Sequence, residues 1–337
     1  MRFLEKIIYF FNVLFALALL LSLFVAYIPP KNFPYISIFS LIVSPLLLAN
    51  VMFALFWLLR VKRKVFLSLI VLAISIVQFN RFYQFDFSKE VPIQENQLNV
   101  MSFNVRIFNL YQWIKEEDLS QKISDFIAKE SPDVLSFQEY HAQHNVRLKQ
   151  FGYKYTKFRG KGQNSGQAIY SKYPIVNSGS LDFENTFNNA IYTDIVKGKD
   201  TLRIYNIHLE SLQVNPDDVD FAQENSEKLM RRIAYSFEKQ QSQVDKVLED
   251  IDRSPYKTIV TADLNNTAFS YVYRKLSADK NDAFTKAGKG IGKTFSFKKI
   301  PLRIDFIFVD KSLTVNSFTT YTEKFSDHFP ISSLISW

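Results

Sequence analysis

Several short apolar runs in this chain end in a side chain that can bind a metal ion or move a proton. The segments are MSFNVR with Asn104, LSFQEY with Glu139, YNIHLE with His208, TADLNN with Asp263 and Asn265, RIDFIF with Asp305, and SDHFPI with Asp327 and His328. One such ending has a structural explanation, because a strand must end in something polar. Their repetition in a chain with only four histidines indicates one shared site at the ends of strands.

These residue types suit the hydrolysis of a phosphoester. A phosphoryl centre is shielded by its own negative oxygens, so hydrolysis needs a cation, a positioned water and stabilisation of the leaving oxygen. Glu139 offers a carboxylate oxygen and Asn104 a neutral oxygen, which suit a hydrated magnesium ion. Asp263 and Asn265 are two residues apart on a chain that leaves a strand, so both can point to the same side.

Taken in this order, the segments resemble the endonuclease/exonuclease/phosphatase superfamily of magnesium-dependent phosphoesterases. The resemblance extends from about Gln97 to the end, and it includes GQAIYSKYPI at residues 166–175, which is similar to the superfamily's Ser-x-x-Pro strand turn. Nucleases, sphingomyelinases and inositol phosphatases belong to this superfamily. The resemblance implies a four-layered α/β/β/α sandwich that hydrolyses ester bonds.

The resemblance also implies a metal site. Glu139 would be the main ligand, and Asn104 and Asp327 would be further ligands. The expected ion is Mg²⁺, for which Mn²⁺ could substitute.

Five other residues would carry the catalysis that the resemblance implies. Asp263 would orient or deprotonate the attacking water, and Asn265 would bind a phosphate oxygen. His208 would contact the scissile phosphate or protonate the leaving oxygen. His328 would be the catalytic imidazole, with Asp305 as the partner that fixes its tautomer.

Two other patterns are ligand-like but have simpler explanations. AGKGIGKT, residues 287–294, satisfies a relaxed P-loop pattern, but no buried strand precedes it and no helix is expected after it. We expect a mobile basic loop beside the site or a solvated hairpin. His141 and His144 have ligand-like spacing, and we expect them on the surface of a helix.

The domain that carries these residues is predicted to be α/β. Expected strands cover residues 97–105, 133–138, 167–170, 189–196, 202–208, 258–262, 303–309 and 331–335. Apolar spacing predicts one helix over 116–130 and another over 229–251. We therefore predict one catalytic domain at 97–337, after a linker at 86–96.

The first 85 residues differ in composition from the rest. Residues 7–28 and 36–59 are runs of more than twenty residues without a charge, long enough to cross a hydrocarbon core of about 30 Å. A shorter run at 65–81 ends near Arg81, whose side chain can reach the interface. We predict a membrane anchor of three transmembrane helices, and bulky Tyr27 and Ile28 argue against a cleaved signal peptide.

The positions of the basic residues predict the orientation. Arg2 and Lys6 precede the first run and four basic residues occupy 60–64, whereas only Lys31 lies in the loop between the first two runs. By the positive-inside rule, the catalytic domain of a bacterial inner-membrane protein would face the periplasm. If the third run lay along the interface instead, the domain would be cytoplasmic.

Charge and composition limit the choice of substrate. Nearly all of the net charge of +8 arises in the first 85 residues, because residues 86–337 contain 33 basic and 32 acidic side chains. The chain has no cysteine for a disulfide or a cysteine nucleophile. A nuclease needs a basic groove to bind a polyanion, so the local lysine clusters of this domain would have to lie together at one rim of the site. The anchor also suits a phospholipid headgroup, by holding the site near the bilayer. A catalytically idle binding module is a further alternative, and no obligate protein partner is implied.

Overall fold

The computed structural model describes residues 2–85, 96–143, 146–159, 162, 164–214, 225–297 and 300–337. His144 and nearly all of the predicted linker at 86–96 lie outside these described residues.

The N-terminal part is helical and apolar. It contains α1 (Arg2–Val25), α2 (Pro34–Ser37), a 3₁₀ helix (Ile38–Ile42), α3 (Val43–Leu59), α4 (Val65–Ile74) and α5 (Ile76–Phe82). Two stretches, Phe3–Val25 and Pro34–Leu59, are long and apolar enough to cross a membrane. They correspond to the first two predicted spans.

The third predicted span is divided into two helices. α4 and α5 meet at Ser75 with a bend of 76°. The polar end of this run turns toward the rest of the protein, where the Arg81 guanidinium lies 5.0 Å from the centre of the Tyr273 ring. That this run crosses a membrane stays a prediction.

The remainder of the chain forms two six-stranded sheets. The first has the strand order β15 (Thr314–Thr320), β16 (Ile331–Ser336), β2 (Gln97–Asn104), β3 (Val134–His141), β5 (Ser165–Ser171), β4 (Tyr153–Arg159). The second has the order β10 (Lys280–Asp282), β14 (Asp305–Asp310), β9 (Lys257–Asp263), β8 (Asp200–His208), β7 (Asn189–Lys197), β6 (Ile175–Ser180). Short pairs join β1 (Tyr83–Gln84) to β11 (Gly290–Ile291), and β12 (Phe295–Phe297) to β13 (Ile300–Leu302).

Helices cover the outer faces of the two sheets. α6 (Leu119–Glu130) packs its apolar face on the first sheet, and α7 (Ser226–Asp252) with α8 (Tyr271–Ser277) packs on the second. A third apolar cluster, which includes Val100 and Ile204, fills the space between the sheets. This arrangement confirms the predicted α/β/β/α sandwich. α9 (Ala283–Ala287) follows β10.

The predicted strands are present with small shifts in their ends, and the missed strands lie mainly at sheet edges. β4, β6, β10 and β15 end the two sheets. Edge strands pack against one neighbour and bury fewer side chains, as the half-exposed pattern of β4 illustrates. The apolar periodicity on which the sequence prediction depends is therefore weak there.

A buried amide bridges the two sheets. Asn206 on β8 is fully buried and donates through Nδ2 to the carbonyl oxygens of Phe137 (2.8 Å) and Ala168 (3.1 Å) on the first sheet. Its Oδ1 accepts from the side-chain amides of Gln138 (2.7 Å) and Gln167 (3.3 Å). All four partners belong to the opposite sheet, so this network fixes how the sheets lie on each other.

We expect Asn206→Ala to destabilise the protein strongly. The change removes four hydrogen bonds between buried groups, at about 1 kcal/mol each. The melting temperature of the full chain in detergent should fall on the order of 10 °C, as followed by circular dichroism. Asn177→Ala is the control, because it removes a single hydrogen bond, from an exposed side chain to Asp194, and should change the melting temperature by only about 2 °C. Equal melting temperatures for the two variants would contradict the role given to Asn206.

Candidate active site

Three of the predicted site residues are neighbours across the second sheet. His208 ends β8 and pairs with Asp263 at the end of β9, and Asp263 pairs with Asp305 at the start of β14. His208 Nε2 lies 3.6 Å from Asp263 Oδ2. Strand pairing alone therefore brings two carboxylates and an imidazole together at the same end of the second sheet.

The first sheet contributes Asn104 and Glu139 from two parallel neighbouring strands. Glu139 lies where the pairing between β3 and β5 shifts register, and its φ of 49° is unusual for a residue with a side chain. Such a bulge redirects a side chain. Asn104 Nδ2 donates to Glu139 Oε1 (3.2 Å) and to Asp263 Oδ2 (2.8 Å), so it links the two sheets at the site.

His328 and Asp305 form a buried hydrogen-bonded pair. His328 comes from the segment before β16, and its Nδ1 lies 3.0 Å from Asp305 Oδ2 and 3.8 Å from Asp263 Oδ2. The Phe295 ring packs against the imidazole, with 4.8 Å between ring centres. Because Nδ1 faces a carboxylate, Nδ1 carries a proton and Nε2 is the atom left for a substrate.

Burial and neighbouring charge shift the pKa values of this pair. The pKa of Asp305 is raised to about 6, because burial and the charge of Asp263 raise it more than His328 lowers it. Burial acts to lower the pKa of His328, but the charges of Asp305 and Asp263 raise it well above its usual value. Near neutral pH the imidazole therefore holds the proton and the carboxylate is ionised.

Two predicted site residues lie at the margin of this cluster. Asn265 donates its backbone N–H to Asp263 Oδ1 (2.9 Å), but its side-chain amide donates to the carbonyl oxygen of Leu209 (3.0 Å). Asp327 Oδ2 forms an ion pair with Arg106 (3.3 Å). The roles of Asn265 in phosphate binding and of Asp327 in metal binding stay predictions.

The glycine-rich segment at 287–294 is not a P-loop, because α9 ends at its first residue, β11 lies within it, and the short strand β12 follows it where a P-loop has a helix. It is not a solvated hairpin either, because β11 pairs with β1 and a side chain at Gly292 would meet Arg303 Cδ at 2.7 Å. Thr294 is fully buried, and its Oγ1 accepts the backbone N–H of Asp305 (3.0 Å). Sequence reasoning missed this positioning role.

The expectation for His141 was wrong. His141 is the last residue of strand β3, it is 7% exposed, and its Nδ1 accepts the backbone N–H of Gln143. The apolar run before it continues through the bulge at Glu139, so the strand extends beyond the predicted end at residue 138. His144 lies outside the described residues.

A buried cluster of three side chains and the separate Glu139 carboxylate are the candidates for holding a divalent metal ion. Among the described residues, Asp263, Asp305 and His328 have ligand atoms within 4.8 Å of one another. All three side chains are buried, Asp305 and His328 are hydrogen-bonded to each other, and an imidazole is not the oxygen ligand that Mg²⁺ prefers. Glu139 fits such an ion better, because its carboxylate is 35% exposed.

Glu139 and His208 line an open groove of 380 Å³. Arg159, Asn188 and Phe187 also line it, so it offers a cation, an amide and an exposed aromatic ring near the cluster. Arg159 Nη1 lies 3.4 Å from Asp182 Oδ1 and 3.4 Å from Asn189 Oδ1. The sequence alone assigned no individual role to Arg159.

Two family models match the chain. The endonuclease/exonuclease/phosphatase family matches residues 101–328, and a domain of unknown function matches residues 5–82. No curated protein matches the chain.

Solved structures share the fold of the catalytic domain. Danio rerio TDP2 in complex with a single-stranded DNA product is 18% identical, with a TM-score of 0.55, over 72% of this chain and 99% of that one. The mannosyl-6-phosphatase of Bacteroides thetaiotaomicron is 18% identical, with a TM-score of 0.54, over 71% of this chain and 100% of that one. The human Nocturnin catalytic domain with bound sulfate is 18% identical, with a TM-score of 0.53, over 73% of this chain and 95% of that one.

We expect Glu139→Gln to weaken divalent-ion binding at least about tenfold, because an amide replaces the charged oxygen that faces the groove. Mn²⁺ binding to the full chain in detergent, followed by electron paramagnetic resonance, measures this without any substrate. Glu184→Gln removes an exposed carboxylate elsewhere and is the matched control. Unchanged Mn²⁺ affinity in Glu139→Gln would show that the ion binds at another place.

Proposed function

Because the chain belongs to the endonuclease/exonuclease/phosphatase family, it is a hydrolase that acts on ester bonds, and we propose that it is a membrane-anchored, divalent-metal-dependent phosphoesterase. It would hydrolyse a phosphodiester or a phosphomonoester by attack of water. The observation that carries the proposal is the Asp263 carboxylate, which lies within 4 Å of two imidazoles beside the partly exposed Glu139.

A divalent ion, Mg²⁺ or Mn²⁺, would supply positive charge that polarises the phosphoryl group. Glu139 would hold it, and Asn104 fixes the orientation of Glu139 by donating to Oε1. The Asn104 Oδ1 accepts the backbone N–H of Arg106, which supports positioning as the main role of this side chain.

The other site residues would position the attacking water, bind the phosphate and transfer protons. Asp263 orients the attacking water and accepts its proton. His328 presents Nε2 to a phosphate oxygen, and its raised pKa makes it a cation that stabilises the developing negative charge. His208, 3.9 Å from Glu139 Oε1, lies at the groove and would contact the phosphate or protonate the leaving oxygen.

A nuclease is a narrower candidate that one observation favours. Lys289, Lys293 and Lys324 line a groove of 670 Å³ that also includes Phe329, the residue after His328. A groove with several cations beside the site would suit a polyanion such as DNA. The DNA complex of the TDP2 relative is consistent with this candidate.

The anchor would hold the catalytic domain on the periplasmic side of a bacterial inner membrane. The loop that contains Lys31 touches the catalytic domain, where the Lys31 backbone N–H donates to Gln241 Oε1 (3.0 Å). At the other end of α1, Arg60 forms an ion pair with Glu5 (2.8 Å). The cation-rich 60–64 loop and the catalytic domain are therefore at opposite ends of the helices, which supports the predicted orientation.

We expect Asp305 and His328 to act as one unit in a kinetic double-mutant cycle. Asp305→Ala and His328→Ala should each lower kcat for bis(4-nitrophenyl) phosphate by several powers of ten. The double variant should lose little more than the worse single variant, because groups that act together are not additive. His141→Gln is the histidine control and should change the rate less than about tenfold. Additive losses would show that Asp305 and His328 work separately.

We expect a reporter that is active only in the periplasm to be active when it is fused after Trp337. The physical reason is the excess of basic residues at the opposite end of the helices. The paired control fuses a cytoplasm-dependent reporter at the same position, and activity of that reporter would overturn the proposed orientation.

A further inference from the structure

An apolar cavity lies between the anchor and the catalytic domain. Its volume is 330 Å³, in the lower part of the range of about 300–1,000 Å³ for small-molecule sites. Leu41 and Pro45 from the outer end of the second candidate span form one wall, and Leu302 and Ile304 form another. Of the described residues that line the cavity, none is charged.

This cavity opens toward the catalytic groups. Ser211 lines both the cavity and the groove that contains Glu139 and His208. Asn265, two residues after Asp263, also lines the cavity. Phe295 lines it and packs against the imidazole of His328. One end of a molecule that fills the cavity would therefore be separated from the catalytic groups by a single side chain.

Hydrogen bonds hold the anchor wall against the catalytic loop. Ser40 Oγ donates to Asn266 Oδ1 (3.2 Å), and the Ser40 carbonyl oxygen accepts from Thr267 Oγ1 (2.8 Å). All three residues are at most 3% exposed. The loop that begins at Asp263 and the segment that precedes Leu41 therefore form a single packed unit.

The segment around Leu41 also has apolar side chains on the exposed surface of the protein. Phe39 is 51% exposed and Ile42, which also lines the cavity, is 41% exposed. Both belong to the candidate span Pro34–Leu59. One wall of the cavity is therefore part of a candidate span, the part of the chain that would contact lipid chains.

We propose that this cavity binds the hydrocarbon chain of a phosphoester lipid and that the lipid's phosphate lies in the groove at Glu139 and His208. This inference rests on the proposed phosphoesterase function and assigns its substrate class. Only an amphiphile satisfies both parts of the site, because the cavity lacks charge and the groove next to it is polar. The anchor is then part of the substrate site as well as a tether.

The test compares two phosphodiesters with the same leaving group, 4-nitrophenyl dodecyl phosphate and 4-nitrophenyl ethyl phosphate, on the full chain in phosphatidylcholine nanodiscs with Mg²⁺. Leu41→Trp fills the cavity and should lower kcat/KM for the dodecyl ester at least tenfold, with the ethyl ester within twofold of wild type. Phe39→Trp, which makes the same kind of change outside the cavity, should leave both substrates unchanged. Partitioning into the bilayer affects all variants equally, so the difference between these two variants reports on the cavity.

A second variant and a second readout keep the result decisive. Leu302→Trp fills the cavity from the catalytic side and replaces Leu41→Trp if that variant does not fold. Dodecyl phosphate with a diazirine at the chain end should label peptides that contain residues 41–45 or 302–304. Labelling confined to the exposed faces of α1 and α3 would overturn the proposal, with or without turnover.

The outcomes separate the two proposals. In one outcome, wild type hydrolyses the ethyl ester, His328→Gln abolishes that activity, and Leu41→Trp affects both esters equally. That outcome would show that the lipid site is wrong and that the phosphoesterase function is right. If neither ester is hydrolysed but the cavity is labelled, the lipid site stands and the proposed chemistry is wrong.

Discussion

The arrangement of this protein depends on the Asn206 amide between the two sheets. A buried amide that loses its partners is costly, so its four hydrogen bonds to the opposite sheet allow one relative position of the sheets. Gln138 is one of these partners and directly precedes Glu139, while Asn206 is two residues before His208. The same network therefore brings the proposed metal ligand and an imidazole to one end of the sandwich.

Strand register then sets the proton chemistry. Because His208, Asp263 and Asp305 occupy paired positions on three adjacent strands, their spacing is fixed by backbone hydrogen bonds and not by flexible loops. His328 completes the group from outside this sheet. Two buried carboxylates beside one imidazole raise its pKa, which gives a cation where a phosphoester would develop negative charge.

The N-terminal helices and the two-sheet domain are joined by specific polar contacts. Arg274 Nε donates to the carbonyl oxygen of Ala26 (2.8 Å), and Arg303 donates to the carbonyl oxygen of Arg81 (3.0 Å) while it forms a buried ion pair with Asp282. These contacts satisfy carbonyl oxygens at helix ends. A rigid junction of this kind is what a substrate site shared between the two parts requires.

The sequence alone identified a hydrolase of ester bonds and the main elements of its fold. Apolar periodicity identified the central strands and both long helices, because buried faces demand it, and the ordered polar strand endings identified the candidate site residues. Tertiary structure decided which endings meet. It paired Asp327 with Arg106, turned the Asn265 amide to Leu209, and gave Thr294 a place beside Asp305. It also decided that Leu41 shares a cavity with Ile304. Contacts between residues this far apart in the chain depend on sheet stacking and domain docking, which leave no periodic signal in a single sequence.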